Sequence, residues 1–184
     1  YLGAALGPLA QPKGCTLLGF RGEDGKVYLG KSNDAGAGFR FTFVGDYRSE
    51  GRRAFLQISY LGLASTVCGM NEDGLTILGA SLGPHRRFPL RKDAVPFMFV
   101  VRHILETCST IDEALKAMRE QPTDGGMHAL LGDGSGRFRH AEWVDHEHVA
   151  VREEPPEGVL YATNVLEVQR ELLDEASSPE VVSN

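Results

Sequence analysis

The order of its predicted elements is the strongest constraint on this chain: two long runs of strand-like segments flank a single pair of helix-like segments. The strand-like segments alternate β-branched or aromatic residues with polar ones, and turn signals such as Asp24-Gly25 and Asp73-Gly74 separate them. The helix-like pair occupies residues 96–122. This order predicts an α+β domain in which a helix pair covers a mainly antiparallel sheet.

Sequence signals mark where the two predicted helices begin and where the second one ends. Apolar residues recur at helical spacing after Pro96, and a second helix is predicted after Thr110, where Thr110 and Glu113 form a capping box. Pro122 ends that helix. The predicted strands are 15–20, 27–29, 39–44, 55–60, 65–70, 75–79, 127–131, 138–144, 148–151 and 159–164.

Charge and hydropathy exclude several classes of partner. The 184 residues are enough for one domain with a sizeable core. A net charge of −6 without a long basic run argues against nucleic acid and anionic membranes as partners. No apolar stretch approaches the ~18 residues of a membrane span, and no secretory signal is recognised, so we expect a cytoplasmic protein. A small-molecule partner is favoured, and homo-oligomerisation is left open.

The cysteines must be considered one at a time. Three cysteines without a C-x-x-C pair do not form a disulfide framework, and they favour a reducing compartment. Cys68 and Cys108 lie in apolar contexts and are predicted to be core residues.

Cys15, at the start of the first strand, admits two interpretations. A free cysteine is most often a small buried hydrophobe, whereas a nucleophilic thiol needs a base and an orienting group. A hairpin folded at Asp24-Gly25 brings residues 31–34 back beside Cys15. A thiol, the cation of Lys31 and the carboxylate of Asp34 can therefore meet at one end of a strand pair.

Several blocks of the sequence resemble one superfamily. Cys15-Thr16, the Asp24-Gly25 turn and Gly-Lys-Ser-Asn-Asp at 30–34 resemble the opening of N-terminal-nucleophile (Ntn) hydrolases with a cysteine nucleophile. This superfamily includes choloylglycine hydrolases, penicillin V acylases, acid ceramidase-like amidases and the acyl-coenzyme A:isopenicillin N acyltransferase (peptidase C45) group, which the sequence resembles most. The later blocks that agree in order and spacing lie at 69–75, 96–118, 128–142 and 162–164.

The resemblance implies a fold and a maturation step. The implied fold is the four-layer αββα sandwich with mainly antiparallel sheets. A leader, residues 1–14, would be removed by autocatalytic cleavage between Gly14 and Cys15, leaving an Ntn-hydrolase domain at 15–184. Because the chain is shorter than is usual in the family, the C-terminal part of the fold is expected to be missing.

The resemblance also implies the chemistry. Cys15 would attack a linear amide or a thioester to form an acyl-enzyme, with its own α-amino group as the base. Asp34 would hold the α-ammonium group, Lys31 would supply positive charge near the thiolate, and Asn164 would donate to the oxyanion. No cofactor and no metal is implied.

Two departures from the family pattern concern the site. Lys31 stands where the family has an arginine. A lysine lacks the guanidinium group, which can donate two parallel hydrogen bonds to one partner, so this bidentate fork is lost. Ser81 stands where the bile-salt branch has an asparagine, and its side chain is a much shorter donor. Ser81 and Asn71 are therefore further candidates for oxyanion or substrate contacts.

Other classes of function remain open from the residues. A relative with this fold that binds a ligand without catalysis is the main alternative. A metalloprotein is less favoured: His140, His146 and His148 lie near Glu142 and Asp145, but their spacing is better interpreted as a solvated turn. The basic residues at 86–92 are interpreted as a solvated loop, with attraction of an acidic substrate group such as a coenzyme A phosphate as the alternative.

Overall fold

The computed structural model describes residues 14–34, 42–60, 67–82, 94–124 and 126–169. The strands are β1 (Gly14–Arg21), β2 (Val27–Asp34), β3 (Thr42–Tyr47), β4 (Phe55–Tyr60), β5 (Cys68–Asn71), β6 (Thr76–Ser81), β7 (Val95–Pro96), β8 (Thr123–Asp124), β9 (Met127–Gly132), β10 (Phe138–Trp143), β11 (Val149–Glu153) and β12 (Val159–Ala162). The helices are α1 (Phe97–Thr107) and α2 (Ile111–Glu120), between β7 and β8.

The strands form two antiparallel sheets and one short parallel pair. The larger sheet has seven strands in the order β11-β10-β9-β6-β5-β4-β3, and the smaller has three in the order β12-β1-β2. Strands β7 and β8 pair in parallel on either side of the helix pair. The mainly antiparallel α+β organisation predicted from the sequence is thus confirmed.

The helix pair packs against one face of the seven-stranded sheet. Thr110 is the N-cap of α2, where its side chain accepts a hydrogen bond from the Glu113 N–H. The Glu113 carboxylate accepts from the Ser109 N–H rather than from Thr110, so the capping box closes one residue earlier than predicted. The buried residues of this core include Ile77, Leu131, Trp143, Val101, Ile104, Leu105, Ile111 and Met118.

A second core lies between the two sheets. Period-two alternation turns Leu17 of β1 and Leu160 of β12 inward, where they meet Leu130 of β9 and Phe138 of β10. The described residues therefore form three stacked layers: helices, large sheet, small sheet. Both described helices lie against the large sheet, and the outer face of the small sheet exposes Leu18, Phe20, Tyr28, Val159 and Tyr161.

Several predictions concern residues outside the described ranges. They include most of the proposed leader, the basic residues at 86–92, and the chain after Gln169. Of the predicted strand 39–44, the structure describes only the part from Thr42 onward, which continues as β3 to Tyr47.

The turn between β5 and β6 is held by Asn71. Its amide donates to the carbonyl oxygens of Leu105 (3.0 Å) and Cys108 (2.7 Å), at the end of α1. Its side-chain oxygen accepts from the N–H groups of Asp73 and Leu75. Asn71 therefore ties this turn to the helix layer, and all of its hydrogen-bonding groups are used for that purpose.

Replacing Asn71 with Ala should destabilise the fold, because it leaves buried backbone groups without their partners. We expect the free energy of unfolding to fall by about 2–3 kcal/mol, measured by urea denaturation. The control is Lys116→Ala on the exposed face of α2, which should change it by less than about 0.5 kcal/mol. A loss below 1 kcal/mol for Asn71→Ala would contradict this structural role.

Candidate active site

The first hairpin assembles the site at its open end. The turn at Asp24-Gly25 pairs Cys15 with Asn33 and Gly14 with Asp34 in antiparallel register. Gly25 has a positive φ of 76°, a conformation that glycine adopts without strain. The prediction that residues 31–34 return beside Cys15 is confirmed.

Cys15 contributes two groups to this site. The thiol donates a hydrogen bond to Oδ1 of Asn33 (Sγ to Oδ1, 3.2 Å). Its backbone N–H donates to Oδ1 of Asn164 (2.6 Å), across 149 residues of sequence. The residue is half-buried and packs against the core between the sheets. Both the sulfur and the nitrogen that the proposed chemistry needs thus have oriented amide neighbours.

Asn164 links three segments of the chain. It follows β12, which pairs with β1 and so brings Asn164 beside the start of the first strand. While its Oδ1 accepts from Cys15, its Nδ2 donates to the backbone carbonyl of Ser81 at the end of β6 (2.5 Å). A primary amide has two N–H groups, so a second one is available beyond the bond to Ser81.

Gly14 and Asp34 are in close contact. A Cβ atom built on Gly14 would lie 3.2 Å from Oδ2 of Asp34 and 3.8 Å from Oδ1 of Asn164. A larger residue at position 14 would therefore press on the Asp34 carboxylate. The structure places this carboxylate beside the peptide that joins Gly14 to Cys15.

Lys31 lies one step further along the same face. It pairs with Leu17, two residues before Asn33, which makes it a diagonal neighbour of Cys15 on the face directed between the sheets. Such diagonal neighbours are separated by roughly 7–8 Å between Cα atoms, within reach of a lysine side chain. Lys31 itself is half-buried.

Ser81 and Asn71, the other two candidates for oxyanion or substrate contacts, lie in different parts of the structure. Ser81 enters the site through its backbone carbonyl, which the Asn164 amide binds. Asn71 does not join the group, because its amide is bound to Leu105 and Cys108 at the helix layer. The structure thus brings Ser81, and not Asn71, to the group of residues around Cys15.

Asn33 is the site residue that sequence reasoning missed. A two-residue turn at Asp24-Gly25 would pair Cys15 with Asp34. The loop instead has three residues, 23–25, closed by the bond from the Gly22 N–H to the Lys26 carbonyl, and this register pairs Cys15 with Asn33. Charge alone favoured Lys31 and Asp34 as partners of the Cys15 thiol. The thiol instead donates to the uncharged amide of Asn33, directly opposite.

The histidines do not form one cluster. His140 is buried in β10, where its Nε2 lies 3.0 Å from Nδ1 of His128 and its Nδ1 accepts from Arg152. The interpretation of His140 as part of a solvated turn was therefore wrong. His148 does lie in a turn, with its Nδ1 2.9 Å from Asp145.

One group of potential metal ligands occurs in that turn. Asp145, Glu147 and His148 place ligand atoms within 4.8 Å of one another. The Asp145 carboxylate already accepts from the backbone N–H groups of Glu147 and His148, as in a side-chain-capped turn. The cluster therefore has a structural explanation, and it differs from the histidine set considered from the sequence.

The other two cysteines are core residues, as predicted. Cys68 and Cys108 are both buried free thiols. Burial raises the pKa of Cys108, which keeps it protonated and poorly nucleophilic.

An open, mainly apolar cleft lies beside the small sheet. It has a volume of about 460 Å³ and runs between β2 and the β3–β5 part of the large sheet. Its lining includes Leu29, Val44, Leu56, Ile58 and Met70.

The stacked antiparallel sheets, with a helix pair on one side and a cysteine at the start of the first strand, define the fold of an Ntn hydrolase. Within that superfamily the chain belongs to the acyl-coenzyme A:6-aminopenicillanic acid acyl-transferase family, whose model matches residues 21–179. Cys15 precedes the matched range. No curated protein sequence matches this chain.

Solved structures share this fold at low sequence identity. The Caenorhabditis elegans ortholog of N-acylethanolamine-hydrolyzing acid amidase is 14% identical, with a TM-score of 0.63 over 85% of this chain and 73% of that one. A mutant of conjugated bile acid hydrolase from Clostridium perfringens is 16% identical, with a TM-score of 0.52 over 84% of this chain and 54% of that one. The chain thus spans about three-quarters of the first and half of the second.

Neither described helix is long and apolar enough to cross a membrane.

The buried His140 should make stability depend on pH. Burial, followed by the charges of Arg152 and His128, lowers the pKa of His140 to about 3. Between pH 6.5 and about 3, the unfolded chain binds a proton at residue 140 that the folded chain does not. We expect the free energy of unfolding to fall with pH in this window, by up to about 1.4 kcal/mol per unit.

Urea denaturation of the wild type and His140→Gln at pH 4.5–7.5 tests this dependence. Glutamine can both accept from Arg152 and donate to His128, so the variant should fold and show a shallower slope. Lys116→Ala, on the exposed face of α2, is the control: it removes no histidine and should keep the wild-type slope. Equal slopes in all three proteins would contradict the assignment.

Proposed function

We propose that the protein is a cysteine Ntn amidase or acyltransferase, which cleaves a linear amide or a thioester through an acyl-enzyme on Cys15. One observation carries the proposal: the thiol and nitrogen of Cys15, the amide of Asn164 and the carboxylate of Asp34 converge on the Gly14–Cys15 peptide. Membership of the acyltransferase family supports the reaction class.

Activation is the first step of the proposal. Sγ of Cys15 attacks the carbonyl carbon of Gly14, the C–N bond breaks, and the acyl group moves to sulfur while the nitrogen becomes an amine. Water then hydrolyses the thioester, which releases a Gly14 carboxylate and restores the thiol. The absence of a side chain on Gly14 leaves the attacked carbonyl accessible beside Asp34.

Turnover uses the amine that this cleavage creates. A free α-amino group has a pKa near ~7.7, so it can accept the thiol proton near neutral pH. The thiolate attacks the substrate carbonyl, and the amine returns the proton to the leaving group. Water or an acceptor amine then takes the acyl group from sulfur.

The neighbouring side chains have distinct roles in this scheme. The second N–H of Asn164 Nδ2 donates to the oxyanion, since the first is bound to Ser81. Asp34 stabilises the α-ammonium group, and Lys31 adds positive charge on the face that carries Cys15. The Asn33 amide accepts from the thiol through Oδ1 and, if rotated, presents N–H groups to the thiolate.

Cys15→Ala should abolish both cleavage and turnover, because no other side chain supplies the sulfur. The intact mass of freshly purified protein is the measurement: the wild type should lose the residues before Cys15, whereas the variant should not. Turnover is assayed with a panel of fluorogenic N-acyl amides. Cys108→Ala is the matched control, since it also removes a thiol and should leave cleavage intact.

Two outcomes would oppose the proposal. Full turnover by Cys15→Ala would exclude the acyl-enzyme on this residue. A wild-type chain that stays uncut on incubation and hydrolyses no amide would favour the non-catalytic binding relative.

Replacing Asn164 with Ala should slow the chemical step more than it weakens binding. Loss of one oxyanion donor costs about 10²–10³ in kcat. We expect kcat to fall by that factor while KM changes little, because the donor acts on charge that develops in the transition state. An equal change in KM with kcat preserved would assign Asn164 to substrate binding instead.

A further inference from the structure

We infer that Glu142 is a positioning residue: its buried carboxylate fixes the segment after β12 and thereby holds Asn164 against Cys15. The catalytic consequence of this placement rests on the proposed function. The placement itself is a structural statement and can be tested separately.

Asn164 lies in backbone that no regular structure fixes. Strand β12 ends at Ala162, and residues 163–169 adopt bends without ladder hydrogen bonds. An irregular segment has many accessible conformations, so the 2.6 Å contact between Asn164 and the Cys15 N–H requires restraint from elsewhere.

Glu142 supplies that restraint from the neighbouring sheet. Its side chain is 0% exposed, and both of its carboxylate oxygens accept backbone N–H groups of this segment. The donors are Glu167 (2.7 Å), Val168 (3.0 and 3.1 Å) and Gln169 (2.7 Å). The Gln169 side chain also donates to the Glu142 carbonyl (2.8 Å). Three consecutive N–H groups thus converge on one carboxylate.

The carboxylate and the segment depend on each other. A buried carboxylate is costly unless hydrogen bonds satisfy it, and bonds to a charged acceptor are stronger than neutral ones. Leu166, 1% exposed, is buried in the same stretch. If residues 167–169 moved away, the buried carboxylate of Glu142 would lose these hydrogen-bond donors. The contact therefore stabilises both the carboxylate and the segment.

A second anchor lies before Asn164 in the chain. Arg152 of β11 donates to the Tyr161 carbonyl (2.6 Å) and forms an ion pair with Glu167 (2.9 Å). Asn164 therefore lies between two anchored residues. Arg152 binds Tyr161, which precedes Asn164. Both Arg152 and Glu142 bind Glu167, which follows it.

Hydrogen bonds to the buried histidines of β9 and β10 determine the orientation of the Arg152 side chain. Arginine can only donate, so Nδ1 of His140 must be the acceptor of the 3.0 Å bond from Nε of Arg152. Nε2 of His140 then carries the proton and donates to Nδ1 of His128 (3.0 Å). The lowered pKa of His140, about 3, is consistent with this neutral ring. A polar chain from β9 to β11 thus supports the segment that carries Asn164.

The test compares Glu142→Gln with a matched anchor elsewhere. Glutamine keeps the volume of Glu142 but loses charge and one acceptor. Arg53→Gln is the control, because Arg53 binds the Thr107 carbonyl (2.6 Å) and Asp73 and so holds the helix layer rather than the site. Both variants should lower stability.

Amide hydrogen exchange, followed residue by residue by NMR, measures the placement without requiring activity. The proteins carry Cys15→Ala in addition, which preserves the backbone N–H at position 15 and prevents cleavage. Glu142→Gln should speed exchange at residue 15 and at 167–169 by about tenfold or more, the effect of losing about 1.4 kcal/mol of local protection. Arg53→Gln should speed exchange near the end of α1 and leave residue 15 unchanged.

Cleavage and turnover, measured with Cys15 present, form the second readout. A misplacement of about 1 Å costs on the order of 100-fold in rate, so Glu142→Gln should lower kcat by about 10- to 100-fold with little change in KM. In an Asn164→Ala background the same substitution should have no further effect on kcat, because both act through one group. Arg152→Lys, which keeps the charge and loses the fork, should show the same pattern if Glu142→Gln does not fold.

The outcomes separate this inference from the proposed function. Faster exchange at 167–169 with an unchanged rate at residue 15 would overturn the positioning role, as would additive effects of Glu142→Gln and Asn164→Ala on kcat. A wild-type protein without cleavage or turnover would overturn the proposed function, and the exchange data would still decide where Glu142 acts.

Discussion

The pairing of β1 with β12 is the constraint on which the site depends. It joins strands from opposite ends of the described chain and places Leu17 opposite Ala162, so that the residues just beyond this pair, Cys15 and Asn164, approach each other. Their 2.6 Å contact spans 149 residues of sequence. Closing so long a loop is entropically unfavourable, and the burial of Leu17 and Leu160 between the sheets offsets that cost.

The space between the sheets changes character along its length. At one end it is apolar, with Phe138 and Leu130 packed against Leu17. Towards the site, the same inward rows of β9 and β10 carry His128, His140 and Glu142, all of them buried. Buried polar groups of this kind must be satisfied by partners in defined positions, so they fix geometry in a way that apolar contacts do not. The apolar end holds the sheets together, and the polar end orients the backbone around Cys15.

Local chemistry explains what was predictable from the sequence. The position of the first hairpin follows from the Asp24-Gly25 turn signal. Its register is set by a loop of three residues, 23–25, which shifts every pair by one residue from the register of a two-residue turn. The start of α2 follows from Thr110, whose side chain needs only the N–H three residues later. The burial of Cys68 and Cys108 follows from their apolar neighbours. In each case the information lies within a few residues, apart from the family resemblance, which carried the assignment of Asn164.

The sequence by itself determined the class of fold, the strand and helix order, and the meeting of Cys15 with the end of β2. Only the tertiary structure decided which groups face them: Asn33 rather than a charged residue at the thiol, the Ser81 carbonyl at the Asn164 amide, and Glu142 beneath the segment of Asn164. The physical reason is that turn registers and helix caps are local. Contacts between β6, β10 and the backbone after β12 arise only when the sheets stack, and no periodicity along the chain encodes them.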